Sequence, residues 1–346
     1  MLLLIASVLH SVLGLFGILL NVLLIGLVLF KTPKSIGTYS ILIIVRAATD
    51  AFACFFDIFS QTRLIPSGLT LGIASSGFCK YLNSWSCFFG YSLQLQLHTF
   101  SIHLLVVSFA FRYYVLLERY PKANQILLVV IMVFFPSFFQ SLFIVIDNSH
   151  PEEVRLLVNL HHPDYDLRDL VINGHSDIRH FATLFAYLLL FILVLPVWAL
   201  CHILQRKIRA KLRNGVMRPE VREKHRQLTL ALETQSILPK IYILSVLFFV
   251  LAQLKVVESP FLETCILFIP IIVPVFNPLI GIVLIRPYRE SVMRWMGLDP
   301  KDWEFTKNSS VAPTDTSSTV FGSFDNSSVT SVSSAFTITE TKHPFE

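Results

Sequence analysis

The stretch CKYLNSWSCFFGYSLQLQLHTFSIHLLVVSFAFRYYVLLERY, residues 79–120, decides the fold. It contains no proline, and its one glycine is Gly90. It is too apolar for a helix on a soluble protein and too polar for a helix bathed in lipid on every side. Asn83, Tyr91, Gln94, His98 and Ser101 recur at helical spacings and share a face. Ser92, Gln96, Thr99 and His103 form a second polar stripe. Unsatisfied polar groups in hydrocarbon cost several kcal/mol each, so other helices must enclose such a segment. A helix of roughly 38 residues, rising about 1.5 Å per residue, would be about 57 Å long against an apolar bilayer core of ~30 Å. It is therefore expected to be central, and to tilt or protrude. Arg112 sits near its far end, at the expected cytoplasmic edge.

The rest of the chain agrees with a membrane reading. Of 346 residues, 54% are hydrophobic and 15% charged, too few charges for an ordinary soluble protein of this size. The basic residues lie in short turns between apolar segments, which argues against a nucleic-acid partner. The apolar segments predict seven spans, at about 3–30, 37–59, 79–120, 125–146, 180–204, 235–254 and 261–285. The first is read as an uncleaved span, since its basic residues Lys31 and Lys34 follow it. Residues 61–78, rich in Ser and Gly, read as a loop. Residues 147–179 read as a polar loop with seven acidic side chains and three arginines. Nine Lys or Arg fall between positions 206 and 226. Basic turns follow spans one, three, five and seven, and the acidic loop follows span four. The positive-inside rule then places the N-terminus outside and the C-terminus in the cytosol. The expected organisation is an all-α bundle over 1–298 and a disordered, Ser/Thr-rich cytoplasmic tail over 299–346.

Several residues stand out inside this frame. Arg46 and Asp50, at i and i+4 on span two, can pair and face the bundle interior. Arg112, followed by Tyr113, reads either as a switch or as an arginine snorkelling to headgroups. Asn277-Pro278 breaks a backbone hydrogen bond in span seven and reads as a hinge or a fixed kink. Cys79, Cys87 and Cys265 lie toward the outer side, where any two could pair. His150, His161, His162, His175 and His180 read as a solvated histidine-rich loop rather than a metal site. No nucleophile–base pair, phosphate loop or metalloprotease signature appears, so neither an enzyme nor a cofactor is expected. Span seven has no lysine, which excludes a retinal Schiff base on it.

The order of spans with Asn21, Asp50, Arg112 and Asn277-Pro278 resembles G-protein-coupled receptors. A closer likeness lies in Lys31-Thr32-Pro33-Lys34-Ser35, Thr38-Tyr39-Ser40-Ile41-Leu42, Phe78-Cys79-Lys80-Tyr81, Ser108 through Leu116, Leu228-Thr229-Leu230 with Gln235 and Leu238-Pro239, and Arg286-Pro287-Tyr288-Arg289. Over about residues 8–298 these resemble nematode serpentine chemoreceptors, class delta above all. The resemblance implies an odorant or pheromone receptor in sensory-neuron membranes that acts through heterotrimeric G proteins. A channel or transporter with seven helices is the alternative, and the absence of an internal repeat counts against a transporter.

The ligand is expected in the outer half. Gln94 lies about 27 Å along the helix from Arg112, with Tyr91 and His98 one turn to either side, and Tyr187 and Phe268 are expected nearby. The tail offers accessible phosphorylation sites for a desensitising partner. The orientation is directly testable. An epitope appended after Glu346 should be reached by antibody only after permeabilisation, and labelling of intact cells would reverse the topology.

Overall fold

Among the described residues, five helices are long and apolar enough to cross a membrane: Leu4–Lys31, Ser84–Val115, Ala123–Ile146, Arg226–Gln253 and Pro260–Leu284. They belong to a computed structural model that describes residues 2–32, 37–117, 121–214 and 219–299. In chain order the helices are α1 (Leu2–Lys31), α2 (Tyr39–Ser60), α3 (Ser84–Val115), α4 (Ala123–Ile146), α5 (Pro151–His161) and α6 (Phe181–Asn214). There follow α7 (Pro219–Gln235), α8 (Pro239–Gln253), α9 (Pro260–Phe268), α10 (Ile272–Leu284) and α11 (Arg286–Trp295). Two further long helices, α2 and α6, pack among the five. The ring runs α1, α2, α3, α4, α6, α8, α9 and closes from α10 back onto α1.

The central place of α3 follows from its polar stripes. In its apolar window 67% of residues are buried, against 28% for α4 and 33% for α1. The outer faces of α1 and α4 instead expose rows such as Val8, Val12, Leu15 and Leu19, or Leu128, Met132, Phe135 and Phe139. Such rows suit lipid rather than water. Close approach of α1 to α2 depends on Gly17, where a side chain would collide with Cys54. Small residues let membrane helices meet at short range in this way.

Helix ends follow local chemistry. Asn83 caps α3, its side-chain oxygen accepting from the Ser86 N–H at 2.7 Å. It therefore stands outside the helical face on which its spacing placed it, and α3 is a 32-residue helix, shorter than expected. Pro239 opens α8 after a turn at residues 236–238. Pro270 falls in a 3-10 turn, Ile269–Ile271, that separates α9 from α10. Proline lacks the N–H that would carry a helix through. Span seven is thus broken in two, and span five continues as α6 to Asn214.

Both predicted loops on one end of the bundle are structured. Strands β1 (Thr62–Ser67) and β2 (Thr70–Ser75) form an antiparallel hairpin, and β3 (Val171–His175) joins β2. Gly68, at φ 68°, opens the two-residue connection, a conformation that costs glycine little. Pro66, which argued for a loop, lies on the edge strand, where a missing N–H is tolerated. Its carbonyl accepts from His162 Nε2 at 3.1 Å. Helix α5 packs on the sheet through Val154 and Val158, which share a small core with Ile65, Ala74, Leu167 and Ile172. Each segment looked like a loop because its apolar partners lie about a hundred residues away.

The cysteine pairing left open by the sequence is Cys79–Cys87, and Cys265 is a free thiol. The solvated reading of the histidines holds for His150, His161 and His180 but not for His162 and His175, which are buried. His175 Nδ1 meets the Asp147 carbonyl at 2.8 Å. Burial holds its pKa below the usual histidine value, an effect the Asp147 carbonyl opposes. Residues 33–36, 118–120, 215–218 and 300–346 lie outside the described residues, and with them all of the expected 299–346 tail but Asp299.

The sheet is fastened to the bundle by a buried ion pair. Arg63 of β1 donates to Glu263 of α9 at 2.6 and 2.8 Å, and Tyr165 donates to the same carboxylate at 3.0 Å. Burial and Glu263 push the Tyr165 phenol up to about 12, so it keeps its proton. Removing one member leaves an uncompensated buried charge, at a cost of about 3–5 kcal/mol. Glu263→Leu should therefore lower the melting temperature of the detergent-solubilised protein sharply. The double variant Arg63→Met with Glu263→Leu should recover most of that loss.

Candidate functional site

Helical periodicity places two side-chain clusters inside the bundle. The first lies beneath the sheet, between α3, α6, α8 and α9. Helix α3 contributes Tyr91, Leu95 and His98 at i, i+4 and i+7, and α8 contributes Tyr242, Ser245 and Phe249 at i, i+3 and i+7. Tyr187 of α6, Leu64 of β1, and Ile266, Leu267 and Pro270 complete the wall around a cavity of about 50 Å³.

Its polar groups are arranged in pairs. The Tyr91 and Tyr187 hydroxyls lie 2.9 Å apart. His98 Nδ1 lies 3.1 Å from the Tyr242 hydroxyl, and the two rings meet edge to face. Ser245 donates to the Ile266 carbonyl. His98, only 3% exposed, has no partner for Nε2 among the described residues. Among the described residues, none that lines the cavity carries a fixed charge. An apolar cavity with a few convergent polar groups is the usual form of a small-molecule site.

Of the five residues expected at a ligand, the structure brings Tyr91, His98 and Tyr187 together here. Gln94 points elsewhere, donating to Asp57 at 2.9 Å and accepting from Ser60 at 3.3 Å. Asp57 also meets His10 Nδ1 at 2.8 Å. Phe268 packs edge to face on His10, centroids 5.0 Å apart, on the α1 side of α9. A shift of three residues along α3 turns a side chain by about 300°, so Gln94 and Tyr91 face somewhat different neighbours. Sequence reasoning passed over Tyr242 and Ser245. Their signal was a phenol and a hydroxyl three residues apart in the otherwise apolar Ile241–Ala252 run.

The second cluster lies deeper, between α2, α3, α7 and α10. Asp50, 1% exposed, accepts from Ser101 at 2.8 Å and from the Asn277 amide at 2.8 Å. Arg46 donates to the Asn277 side-chain oxygen at 3.1 Å and to Gln235 at 3.3 Å. Gln235 in turn donates to the Asn277 backbone carbonyl at 3.1 Å. The expected direct Arg46–Asp50 pair is absent, because the Asn277 amide sits between the two and serves both. Pro278 follows within α10, and Asn21 donates to the Pro274 carbonyl at 2.9 Å. A cavity of about 30 Å³ adjoins these groups, enough for a water molecule.

Arg112, 4% exposed, does not reach outward. Its guanidinium lies over the Tyr39 ring at 4.3 Å, and its Nε and one terminal nitrogen have no partner among the described residues. Tyr113 beside it is approached by the Lys207 ammonium at 5.8 Å. Asn277→Leu should leave Asp50 with Ser101 alone and cost about 2–4 kcal/mol, since removing a partner from a buried charge is expensive. The measurement is thermal unfolding in detergent, against an exposed control such as Phe276→Leu.

Comparison with known proteins agrees with this architecture. The family model for the serpentine type 7TM GPCR chemoreceptor Srd matches residues 6–294. Caenorhabditis elegans serpentine receptor class delta-18 is 36% identical over 290 residues, covering 82% of this chain and 86% of the relative. Class delta-19 of the same organism is 34% identical over 287 residues, with 81% and 85% covered. Class delta-3 is 30% identical over 298 residues, with 81% and 84% covered. A buried polar α3, a layer built on Asp50 and Asn277, and a match over nearly the whole helical region identify the chain as a multi-pass membrane protein of the Srd family of serpentine chemoreceptors.

Proposed function

We propose that the chain is a chemosensory G-protein-coupled receptor whose small-molecule odorant or pheromone occupies the cavity beneath the sheet. In this reading α2 and α6 complete seven spans. The N-terminus and sheet face outward, and α11 and the basic stretch 206–226 face the cytosol and a heterotrimeric G protein. Tyr91, His98 and Tyr187 belong to the ligand wall, while Gln94 and Phe268 stand behind it. Arg46, Asp50, Asn277 and Pro278 form the coupling layer, with Arg112 and Tyr113 at the cytosolic end. Localisation to sensory cilia and a desensitising partner on the tail belong to the same reading.

One observation carries it. Tyr242 of the cavity wall and Gln235 of the polar layer are seven residues apart on consecutive helices joined by a short turn. About 10 Å of chain therefore links the two sites. A molecule that displaces Tyr242 pulls on the residue that bonds both Arg46 and Asn277. Its differential contact with the two states of that layer is what can shift their populations.

The test begins with a ligand screen in cells that express the chain with a promiscuous G protein. For any activator found, Leu95→Trp, which fills the cavity, should raise the half-maximal concentration at least about tenfold at matched surface levels. Gln235→Leu should raise signalling without ligand. An unchanged dose–response in the Leu95 variant would remove the cavity from the function.

A further inference from the structure

The hydrogen inventory of the cavity narrows what it can hold. Two phenols, Tyr91 and Tyr187, bring two hydroxyl hydrogens to one mutual hydrogen bond. One hydrogen is left over. Neutral His98 and Tyr242 likewise bring one N–H and one O–H to a single bond. If Tyr242 donates, the imidazole hydrogen is left on Nε2. If the imidazole donates, the Tyr242 hydroxyl hydrogen is left. Either way the second pair also holds one hydrogen in reserve. The Ser245 hydrogen is already committed to the Ile266 carbonyl. Unmet donors are rarer in buried sites than under-used oxygen lone pairs, so this inventory calls for an acceptor.

Fixed charges are turned away from the cavity. Glu263, on the helix that supplies Ile266 and Leu267, is held by Arg63 and Tyr165. Asp57 is held by Gln94 and His10. Arg63, on the strand that supplies Leu64, is itself spent on Glu263. An ammonium or carboxylate entering the cavity would lose its hydration and gain no counter-charge, a cost well beyond one neutral hydrogen bond. Size sets a further limit. The cavity's 50 Å³ is about a third of the ~150 Å³ void that admits benzene in an engineered protein core, so a ligand of about five or six heavy atoms enters only by displacing wall side chains such as Tyr242, and larger ones are shut out.

We propose that this cavity selects a short-chain, uncharged hydrocarbon bearing an acceptor oxygen, such as a ketone or ester. The inference rests on the reading of the cavity as the ligand site.

The test uses purified receptor in detergent at pH 7.4, with ligand-dependent thermal stabilisation as the readout. The probes are 2-pentanone, pentane, 2-aminopentane and pentanoic acid, which share a carbon count. 2-Pentanone should bind about tenfold more tightly than pentane, the worth of a hydrogen bond that uses the spare donors. The two charged probes should bind more weakly than pentane. Tyr187→Phe alone leaves the Tyr91 hydroxyl hydrogen without its partner, so the pair still holds one spare hydrogen. The double variant Tyr91→Phe with Tyr187→Phe removes it, and should narrow the gap between 2-pentanone and pentane and leave pentane unchanged. A merely structural role for the two phenols would weaken both probes equally and overturn the donor argument. Binding of 2-pentanone no tighter than pentane, or none at all, overturns the proposal. Leu95→Trp separates the two levels. A charged probe that binds and is expelled by Leu95→Trp leaves the cavity as the site and overturns the ligand class. 2-Pentanone binding that Leu95→Trp does not disturb overturns the cavity itself.

Discussion

Asp50 and Arg46 are opposite charges buried inside a helix bundle, and the arrangement of the neighbouring helices follows from satisfying them. Insertion scales put each such residue at about 2.5–3.5 kcal/mol at the centre of a lone helix. The cost is met by sharing one amide. Asn277 gives its N–H to Asp50 and its oxygen to Arg46, while Ser101 donates to Asp50 and Gln235 accepts from Arg46, whose Nε has no partner among the described residues. One side chain thus ties α10 to α2 at two points, and the same two α2 residues reach α3 through Ser101 and α7 through Gln235. Pro278, directly after it, has no N–H for the Pro274 carbonyl, which accepts from Asn21 instead, and Gln235 closes the layer by donating to the carbonyl of Asn277. Helices held this way have few alternative arrangements, because any displacement leaves a charge unpaired. The same economy makes the layer suited to two discrete states rather than gradual deformation.

Above that layer the bundle changes character. The wall formed by Tyr91, His98, Tyr187 and Tyr242 is polar only at its tips, and its hydrogen bonds run between pairs of side chains. The charged residues nearby, Arg63, Glu263 and Asp57, are buried and bond to partners outside the wall. The result is an apolar chamber beside two self-contained electrostatic clusters, Arg63–Glu263–Tyr165 and His10–Asp57–Gln94. The sheet over the chamber is part of this division of labour. Its edge strand supplies Leu64 to the wall and Arg63 to the clamp, consecutive residues that a strand directs to opposite faces.

Membership in the Srd family agrees with these features without dictating them. The family places the chain among membrane chemoreceptors. The side-chain pairing in the chamber, the Asn277 bridge and the inward-folded Arg112 are properties of this molecule's packing.

How far the sequence reached is clear from particular residues. The polar stripes of residues 79–120 announced a buried central helix, because period and polarity are local properties and hydrocarbon punishes an unpaired group wherever it stands. Asp50 and Arg46 read as interior for the same reason, whereas Asn277-Pro278 reads only as a hinge or kink. Tyr91, His98 and Tyr187, singled out beforehand, do share a wall, yet Gln94 and Phe268 do not. Whether neighbours on a helical stripe meet the same cavity depends on where the next helix sits, which no spacing encodes. The direct Arg46–Asp50 pair failed for a related reason: the competing partner, Asn277, lies 227 residues from Asp50. The sheet was hidden because β1 and β2 look like loop, with Pro66 and Gly68 in them, until β3 and α5 arrive to bury their apolar side. Composition and periodicity thus determined a polytopic helical membrane protein with a polar centre. Which side chains face one another was decided by tertiary contact alone, since hydrogen bonds and burial are satisfied by partners distant in the chain.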